Sequence, residues 1–537
     1  MAGFREFFNL LFASICVCAL TYDSRRGKGQ AMKSNPIRKP ESLSARPQGS
    51  RRRFLAQTGG AAGLMLLPGL RTALAFQANE RLRLAVVGMA GFGAYAGFAE
   101  SLHQLGNTAY AVSCDVDLRK AQKVYDTWAR RAAELGKSEK PEDRRAAANY
   151  YAPLAEKKPP LFADFRRMFD EAADQFDAVV VATPDHTHAL ITAAALRAGK
   201  PVLAEKPLTI SVHEARALHK LAGEKRNLPT LMNTGGAASK GFRRGLELLR
   251  EGVLGEVREV HAFFSRGGRN FQSPPQGRQE VPKELNWDCW LAQVKWRDYH
   301  PDWINRIAWR DTSIGELGNF GPHTSNLAFM ALNVKELWQP GTAPAKIRVI
   351  AECSEANQLS YPRWEKIRWE IPARGKLAPL AITWHHGYPP DWAPGSRPLL
   401  EGLLRDHGVK AEEIKDVLPT AGCLILGNQG LLATTSHNTH IRLLPEKKFE
   451  AIEQTRPVSL PVVANQYKEW VDACRGGPQP LANFAHAAPF AEFLALGSLA
   501  TRFPGENLEY DPVAGQITNH PRASGFLSYE YRKGYVL

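Results

Sequence analysis

Four short stretches of this chain hold residue types whose spacing could do chemistry. Gly88-Met89-Ala90-Gly91-Phe92-Gly93 is a glycine-bearing turn of the kind that lets a backbone approach a pyrophosphate closely. Asp115 follows about twenty residues past the glycines, where an acid can accept the hydroxyls of an adenosine ribose. Glu205-Lys206-Pro207 offers an ammonium group which, once desolvated, would give up its proton more readily and could relay one. Asn319 and His323 stand four residues apart, so on a helix they share a face and can act on one hydroxyl.

The elements around these stretches predict how they are held. Residues 82–87 read as a buried parallel strand, the glycine turn follows, and a helical stretch runs to about Leu105. A second strand over 110–114 ends at Asp115; the competing reading of that acid is a strand-end turn residue. Residues 127–160 are rich in charge and alanine and predict a surface helical insertion without chemistry. Residues 177–182 form another buried strand, which runs into Thr183-Pro184-Asp185-His186-Thr187-His188. A helix over 189–198, capped by Gly199, leads to a strand over 200–204. Alternating strands and helices predict a doubly wound parallel sheet, with ligand at the carboxyl ends of the strands. The first domain is thus a Rossmann domain over residues 80–230. Ala90 replaces the middle glycine of the usual fingerprint.

The run from Asp177 to Leu208 resembles the Gfo/Idh/MocA (glucose–fructose oxidoreductase / inositol dehydrogenase) oxidoreductases. Its T-P-D-H-x-H turn, A-G-K-P-V strand and E-K-P tripeptide carry the resemblance. The likeness implies that Lys206 lies near the nicotinamide and the substrate hydroxyl. It implies too that Thr183, Pro184, His186, His188 and Glu205 line the cofactor site with Gly88, Ala90, Gly91, Gly93 and Asp115. Gly315 to Asn326 resembles the family's G-x-x-x-D-x-G-x-H-x-x-D run. By that likeness His323 takes the substrate proton and the residue at 319 assists. Both acid positions carry amides here, Asn319 and Asn326, and an amide cannot raise imidazole basicity as a carboxylate does.

From residue 231 onward the pattern turns sheet-rich. Strands are expected at 257–264, 346–353, 368–371, 380–385 and 423–426, without long alternating helices. This predicts an α+β domain over 231–537, and the resemblance implies an open, mostly antiparallel sheet whose face often mediates association. Trp287, Tyr299, Arg306 and Trp309 suit a sugar ring, through stacking and bidentate hydrogen bonds, and Asn326 joins them as a substrate candidate. Large aromatics serve equally as core anchors, a reading expected of about half of them. His385 and His386 are neighbours on a strand, so they point to opposite faces and are poor joint metal ligands.

Of the net charge of +15, residues 1–75 hold 12 Lys/Arg against 3 Asp/Glu, a surplus of nine that leaves +6 for the remainder. No basic stripe with interleaved aromatics appears, which argues against nucleic-acid binding. Seven scattered cysteines without a CxxC pair indicate neither a zinc site nor a disulfide framework, and predict buried apolar thiols. Ser50-Arg51-Arg52-Arg53-Phe54-Leu55, an apolar stretch over 61–70 and Ala73-Leu74-Ala75 match a twin-arginine export signal and its cleavage site. Residues 1–79 are therefore expected to be an address, with Met1 or Met32 as the start, and the mature protein periplasmic. Neither that stretch nor the apolar run over 7–20 is long enough for a stable membrane span.

Together these features predict an NAD(P)-dependent oxidoreductase acting on a sugar, sugar acid or cyclitol, with no metal and with NAD favoured by Asp115. Arg119 leaves NADP open. Free NAD is scarce outside the cytoplasm, so a retained cofactor is expected. A redox-neutral NAD-dependent glycoside hydrolase and a non-catalytic sugar-binding protein are the alternatives, and a dimer or tetramer is expected.

Overall fold

The computed structural model describes residues 81–91, 102, 105–341, 345–387 and 393–537. The chain divides into two units, Met1–Pro68 and Gly69–Leu537, and every described residue belongs to the second. The expected export signal and both candidate start residues lie outside the described residues. So do Cys16, Cys18, Gly93 and, apart from Leu102, the helix expected before Leu105.

Six strands form the first sheet: β1 (Leu82–Val87), β2 (Thr108–Cys114), β3 (Leu161–Phe162), β4 (Ala178–Val181), β5 (Val202–Glu205) and β6 (Thr230–Asn233). Their order is β3-β2-β1-β4-β5-β6, and every pairing is parallel. β4 reads Ala-Val-Val-Val because both faces of a parallel sheet are covered, and all four of its residues are buried. The last strand lies across the domain boundary expected at 230/231. The strand order reverses between β1 and β4, so the turns after them open a crevice at the carboxyl edge.

Helix α1 (Leu118–Gly136) starts where the Asp117 side chain accepts the Arg119 amide. The predicted insertion is helical through residue 156, with its Ala147–Tyr151 stretch in π-helical form. Helix α2 (His188–Arg197) packs along β4 and β5 and is buried nearly throughout. Gly199 adopts φ +71°, as its place just past the helix requires. Helix α3 (Val212–Glu224) follows β5, and α4 (Lys240–Arg250) follows β6.

Nine strands form the second sheet: β7 (Val257–Ser265), β8 (Ile347–Cys353), β9 (Glu365–Ile371), β10 (Leu380–Gly387), β11 (Ala421–Gly427), β12 (Gly430–Thr435), β13 (Ile441–Leu444), β14 (Leu508–Asp511) and β15 (Gln516–Ile517). The order is β13-β12-β11-β7-β10-β9-β8-β14-β15, with β7–β10 the one parallel pair. The fold is therefore α/β plus α+β, a Rossmann-like sheet followed by an open, mostly antiparallel one.

One face of this sheet carries helix α5 (Gly315–Thr324), and α6 (Asn326–Ala331) continues from it to pack on α4. On the other face, helix α7 (Ser396–Asp406) sets Leu400 and Leu404 against Phe263, Leu424 and Leu431. Here His385, pointing outward, meets His261 and Ser396, while His386 lies inward beside Phe264 and Trp384, as strand alternation requires. Helix α8 (Phe484–Ala500) is apolar around its whole circumference because it packs on α3, α5, β6 and β8 at once. It thereby ties the two sheets into one core. The C-terminal tail returns to the first domain, where Tyr529 and Tyr531 donate to the buried Glu214, and its Arg532 pairs with Asp288 of the second domain. Among the described cysteines none is disulfide-bonded, and all but the half-buried Cys353 are buried.

Candidate active site

A parallel sheet delivers the residue after each strand to a common edge. Gly88–Gly91 leaves β1, Asp115 leaves β2, Thr183 follows β4, Lys206 follows β5 and Thr234 follows β6. The glycine turn sits against the end of β4 so closely that side chains are excluded. A Cβ on Gly91 would stand 2.2 Å from the Ala182 carbonyl oxygen, and one on Gly88, at φ +81°, would stand 2.6 Å from it. Ala90 tolerates its methyl group, and its amide donates to Asp115 Oδ2 at 2.9 Å. The Asp117 amide donates to Asp115 Oδ1 at 2.9 Å. Burial pushes the Asp115 carboxyl up, and these two amides work against that shift. Arg119 is tied to Asp117 through Nε at 2.9 Å and Nη2 at 2.8 Å.

The turn after β4 is braced rather than open. His188 sets Nδ1 2.6 Å from the Pro207 carbonyl and Nε2 2.8 Å from that of Thr183, so it joins the ends of β4 and β5. His186 is fully buried, with Nε2 2.7 Å from the Trp290 carbonyl, and burial pushes its imidazole down. Pro184 accepts from Thr187 Oγ1 through its carbonyl, and Thr183 Oγ1 accepts from the same hydroxyl. Glu205 accepts from Asn233 Nδ2 at 2.9 Å and from the Lys206 amide.

Lys206 reaches across the crevice to α5. Its Nζ donates to the Asn319 carbonyl at 2.8 Å and to Asn319 Oδ1 at 3.0 Å. Burial, reinforced by the Arg306 charge, brings the Lys206 ammonium down to about 7, although Glu205, Asp185 and Glu316 pull the other way. Asn319 Oδ1 also faces Arg306 Nη1 at 3.3 Å, while its Nδ2 donates to Glu316 Oε2 at 2.8 Å. The amide is thus held with its oxygen toward two cations and its nitrogen toward a carboxylate, which suits the chemistry of each end.

His323 lies one turn further along α5. Its Nδ1 is 2.7 Å from the Thr234 carbonyl, which requires a proton on Nδ1 and leaves Nε2 as the acceptor. Burial depresses this imidazole well below its ordinary value, and His437, Lys206 and Arg306 add to the effect. The His437 ring lies 4.0 Å from that of His323, centroid to centroid. His437 belongs to the loop between β12 and β13, and burial with the Lys206 charge holds it down to about 4.

Of the residues expected to contact substrate, Arg306 stands in this cluster, pairing with the buried Asp185 at 3.4 Å. The aromatic ones are spent on packing. Trp287 stacks on Trp290 at 4.7 Å and meets Tyr299 edge-on, and Trp309 lies between Phe271 and Trp303. Asn326 is buried and supports the site from behind: its Oδ1 accepts from His486 Nε2 at 2.7 Å, and its Nδ2 points to Thr234 Oγ1. Asp185, Glu316, His437, Arg266 and Arg269 are members of the cluster that the sequence left unmarked. Asp185 sits inside the T-P-D-H-T-H turn and Glu316 one helical turn before Asn319, so both carried a local signal. His437 carried none. Among the described residues no group of three or more His, Cys, Asp or Glu could hold a metal ion.

The chain shows similarity to known oxidoreductases over part of its length. It is 42% identical over 92 residues to dTDP-3,4-didehydro-2,6-dideoxy-alpha-D-glucose 3-reductase of Actinomadura kijaniata, covering 17% of this chain and 27% of that one. It is 48% identical over 52 residues to inositol 2-dehydrogenase 1 of Saccharopolyspora erythraea, covering 9% and 15%. The chain thus spans between about a quarter and two fifths of the length of the first curated relatives it matches. The solved aldose-aldose oxidoreductase of Caulobacter crescentus, complexed with glycerol, aligns over 80% of this chain and 100% of its own, at 15% identity and a TM-score of 0.47. Residues 82–232, which include the glycine turn, Asp115, the 183–188 turn and Lys206, match the Gfo/Idh/MocA model, described as the oxidoreductase family with an NAD-binding Rossmann fold.

Proposed function

We propose that this protein is an NAD-dependent oxidoreductase that moves hydride between the nicotinamide and a ring carbon of a sugar, sugar acid or cyclitol. The observation that carries the proposal is the bridge from Lys206, at the carboxyl end of β5, to Asn319 on the helix that also bears His323. It joins the cofactor edge of the parallel sheet to the helix of the second domain that bears the proposed base, His323.

The residues fit the dinucleotide. Gly88 and Gly91 keep the turn free of side chains, and Asp115 retains acceptor capacity beyond the two amides it already serves. Arg119 is committed to Asp117, so no free guanidinium at that position awaits a 2′-phosphate, which favours NAD over NADP. When bound, the nicotinamide supplies hydride acceptance and return. The protein supplies the proton chemistry: His323 Nε2 accepts the hydroxyl proton, and Lys206 hydrogen-bonds the same oxygen. Asn319 aims the lysine, and Thr234 fixes the imidazole tautomer.

The proposal includes export. The twin-arginine pattern at 50–55 and the Ala73–Ala75 site fit a protein that folds around its cofactor in the cytoplasm and keeps it in the periplasm. Association into a dimer or tetramer belongs to the same reading. Over β7, β11 and β12 the outer sheet face is already covered by α7, so association would use the β8–β9 half. Heat-denaturing pure protein made in cytoplasm and assaying the supernatant should release NAD(H) near one per chain. An empty supernatant, with no NADH binding on titration, would overturn the proposal.

A further inference from the structure

Three guanidinium groups lie around Asn319 and its partner Glu316. Arg306 faces Asn319 Oδ1 and pairs with Asp185, and its side chain is 43% exposed. Arg266, in the segment after β7, lies 3.6 Å from Glu316 Oε1 and is 35% exposed. Arg269 donates to Asn305 Oδ1, the residue before Arg306, and has no carboxylate partner among the described residues. Asp185 serves Arg306 and Glu316 serves Arg266. Arg269 is the cation left over, held half-buried beside another arginine.

Burial and the Arg266 charge both push the Arg269 guanidinium down, with Glu316 the one opposing charge. A half-buried cation without an anion is costly, and a ligand carboxylate would relieve that cost. The guanidinium fork also matches a carboxylate with two parallel hydrogen bonds.

The backbone here carries a second mark of a ligand site. Ile307 adopts φ +64°, which is a genuine outlier for a β-branched residue. Such strain persists where surrounding structure over-determines it, and it clusters at ligand clamps. It falls immediately after Arg306. The bracing is visible: Ser360 Oγ donates to the carbonyls of both Arg269 and Ala308, so one side chain fixes the segments that carry Arg269 and Arg306.

We infer that the substrate is a sugar bearing a carboxylate, such as a uronic or aldonic acid, whose carboxylate is taken by Arg269 with Arg306 or Arg266 while a ring hydroxyl meets Lys206 and His323. This rests on the oxidoreductase reading above and narrows its substrate class. A bound anion would also oppose the part of the His323 shift that Lys206 and Arg306 add to burial.

The test uses the full chain loaded with NADH and follows cofactor fluorescence. D-glucuronate, D-galacturonate and D-gluconate are titrated against D-glucose, D-galactose and D-glucitol. Each acid is expected to half-saturate at a concentration at least about tenfold below its neutral partner. In R269Q the acid-over-neutral ratio should fall by about ten- to a hundredfold. R269K, which keeps charge but loses the fork, should fall in between. Should R269Q not fold, R266Q and a salt titration replace it, and raised ionic strength should weaken the acids alone. Equal affinities for acids and neutral sugars, no response to any acid, or a ratio unmoved by R269Q and R266Q would each overturn the inference. Failure to bind NADH at all would instead remove the oxidoreductase reading on which it stands.

Discussion

Lys206 Nζ donates to both oxygens that Asn319 presents, the main-chain carbonyl at 2.8 Å and Oδ1 at 3.0 Å. One residue of the second domain therefore receives the lysine that ends the fifth strand of the first. With two N–H donors so placed, the ammonium form keeps its third N–H for the substrate oxygen whose proton passes to His323, a donor that the neutral amine lacks.

The rate of substrate oxidation should accordingly fall as pH rises through about 7, where Lys206 loses the proton that it donates to the substrate oxygen. N319D would set a carboxylate against the ammonium and raise that midpoint by about one to three pH units. A pH profile of kcat/KM for the parent and N319D checks this. Superimposable profiles would remove Lys206 from the titrating step.

His323→Ala should lower kcat by about 10²–10⁴-fold, the usual contribution of a positioned acid/base. NADH affinity should change little, because His323 bonds to Thr234 and faces His437 rather than the glycine turn. Single-turnover kinetics beside a fluorescence titration separate the two. An H323A protein as active as its parent removes the proposed base.

G91A should abolish cofactor binding, since its methyl group would meet the Ala182 carbonyl at 2.2 Å and neither backbone can yield cheaply. G136A is the matched control, because nothing lies within 4 Å of a Cβ there. NADH titration of both variants is the measurement, and a G91A protein that binds normally would contradict the packing described.

Glu316→Gln should cost about 1–3 kcal/mol of stability, because the buried carboxylate accepts from Asn319 and attracts Arg266. Urea unfolding measures the loss. The variant should also change the pH profile, since Glu316 acts on Lys206 through Asn319, an effect that a purely structural role would not produce.

His486 is pushed down to about 3 by burial, while its Nε2 holds Asn326. Below about 6.5 the unfolded chain binds a proton there that the folded chain refuses, so stability is lost as pH falls toward 4. Glu365, pushed up to about 7 by burial, acts with the opposite sign between its ordinary value and 7. The difference in melting temperature between parent and H486Q, taken across pH 4–7, isolates the histidine. H486Q should flatten the acid side of the curve, and an unchanged slope would contradict the assignment.

What could be read from the chain alone was local in origin. Buried strands in a parallel sheet need continuous apolar runs, a tight turn against a neighbouring strand needs glycine, and a strand's last residue points to a known edge. Those rules placed the Rossmann-like sheet, the turn at Gly88–Gly91, Asp115 and Lys206, and helical spacing put Asn319 and His323 on one face. The tertiary structure decided which polar groups meet. Trp287, Tyr299 and Trp309 are sugar-binding types by composition, yet packing turned the first two toward each other and Trp309 toward Phe271 and Trp303. Asn319 looked like a lost acid, yet Glu316 stands one turn away and holds it. His437 and Arg269 come from segments remote in sequence from Lys206, and no spacing rule links them. Only the closing of the second sheet against the edge of the first brings such groups to one site, because electrostatic partnership depends on distance in space and on burial, neither of which a linear pattern specifies.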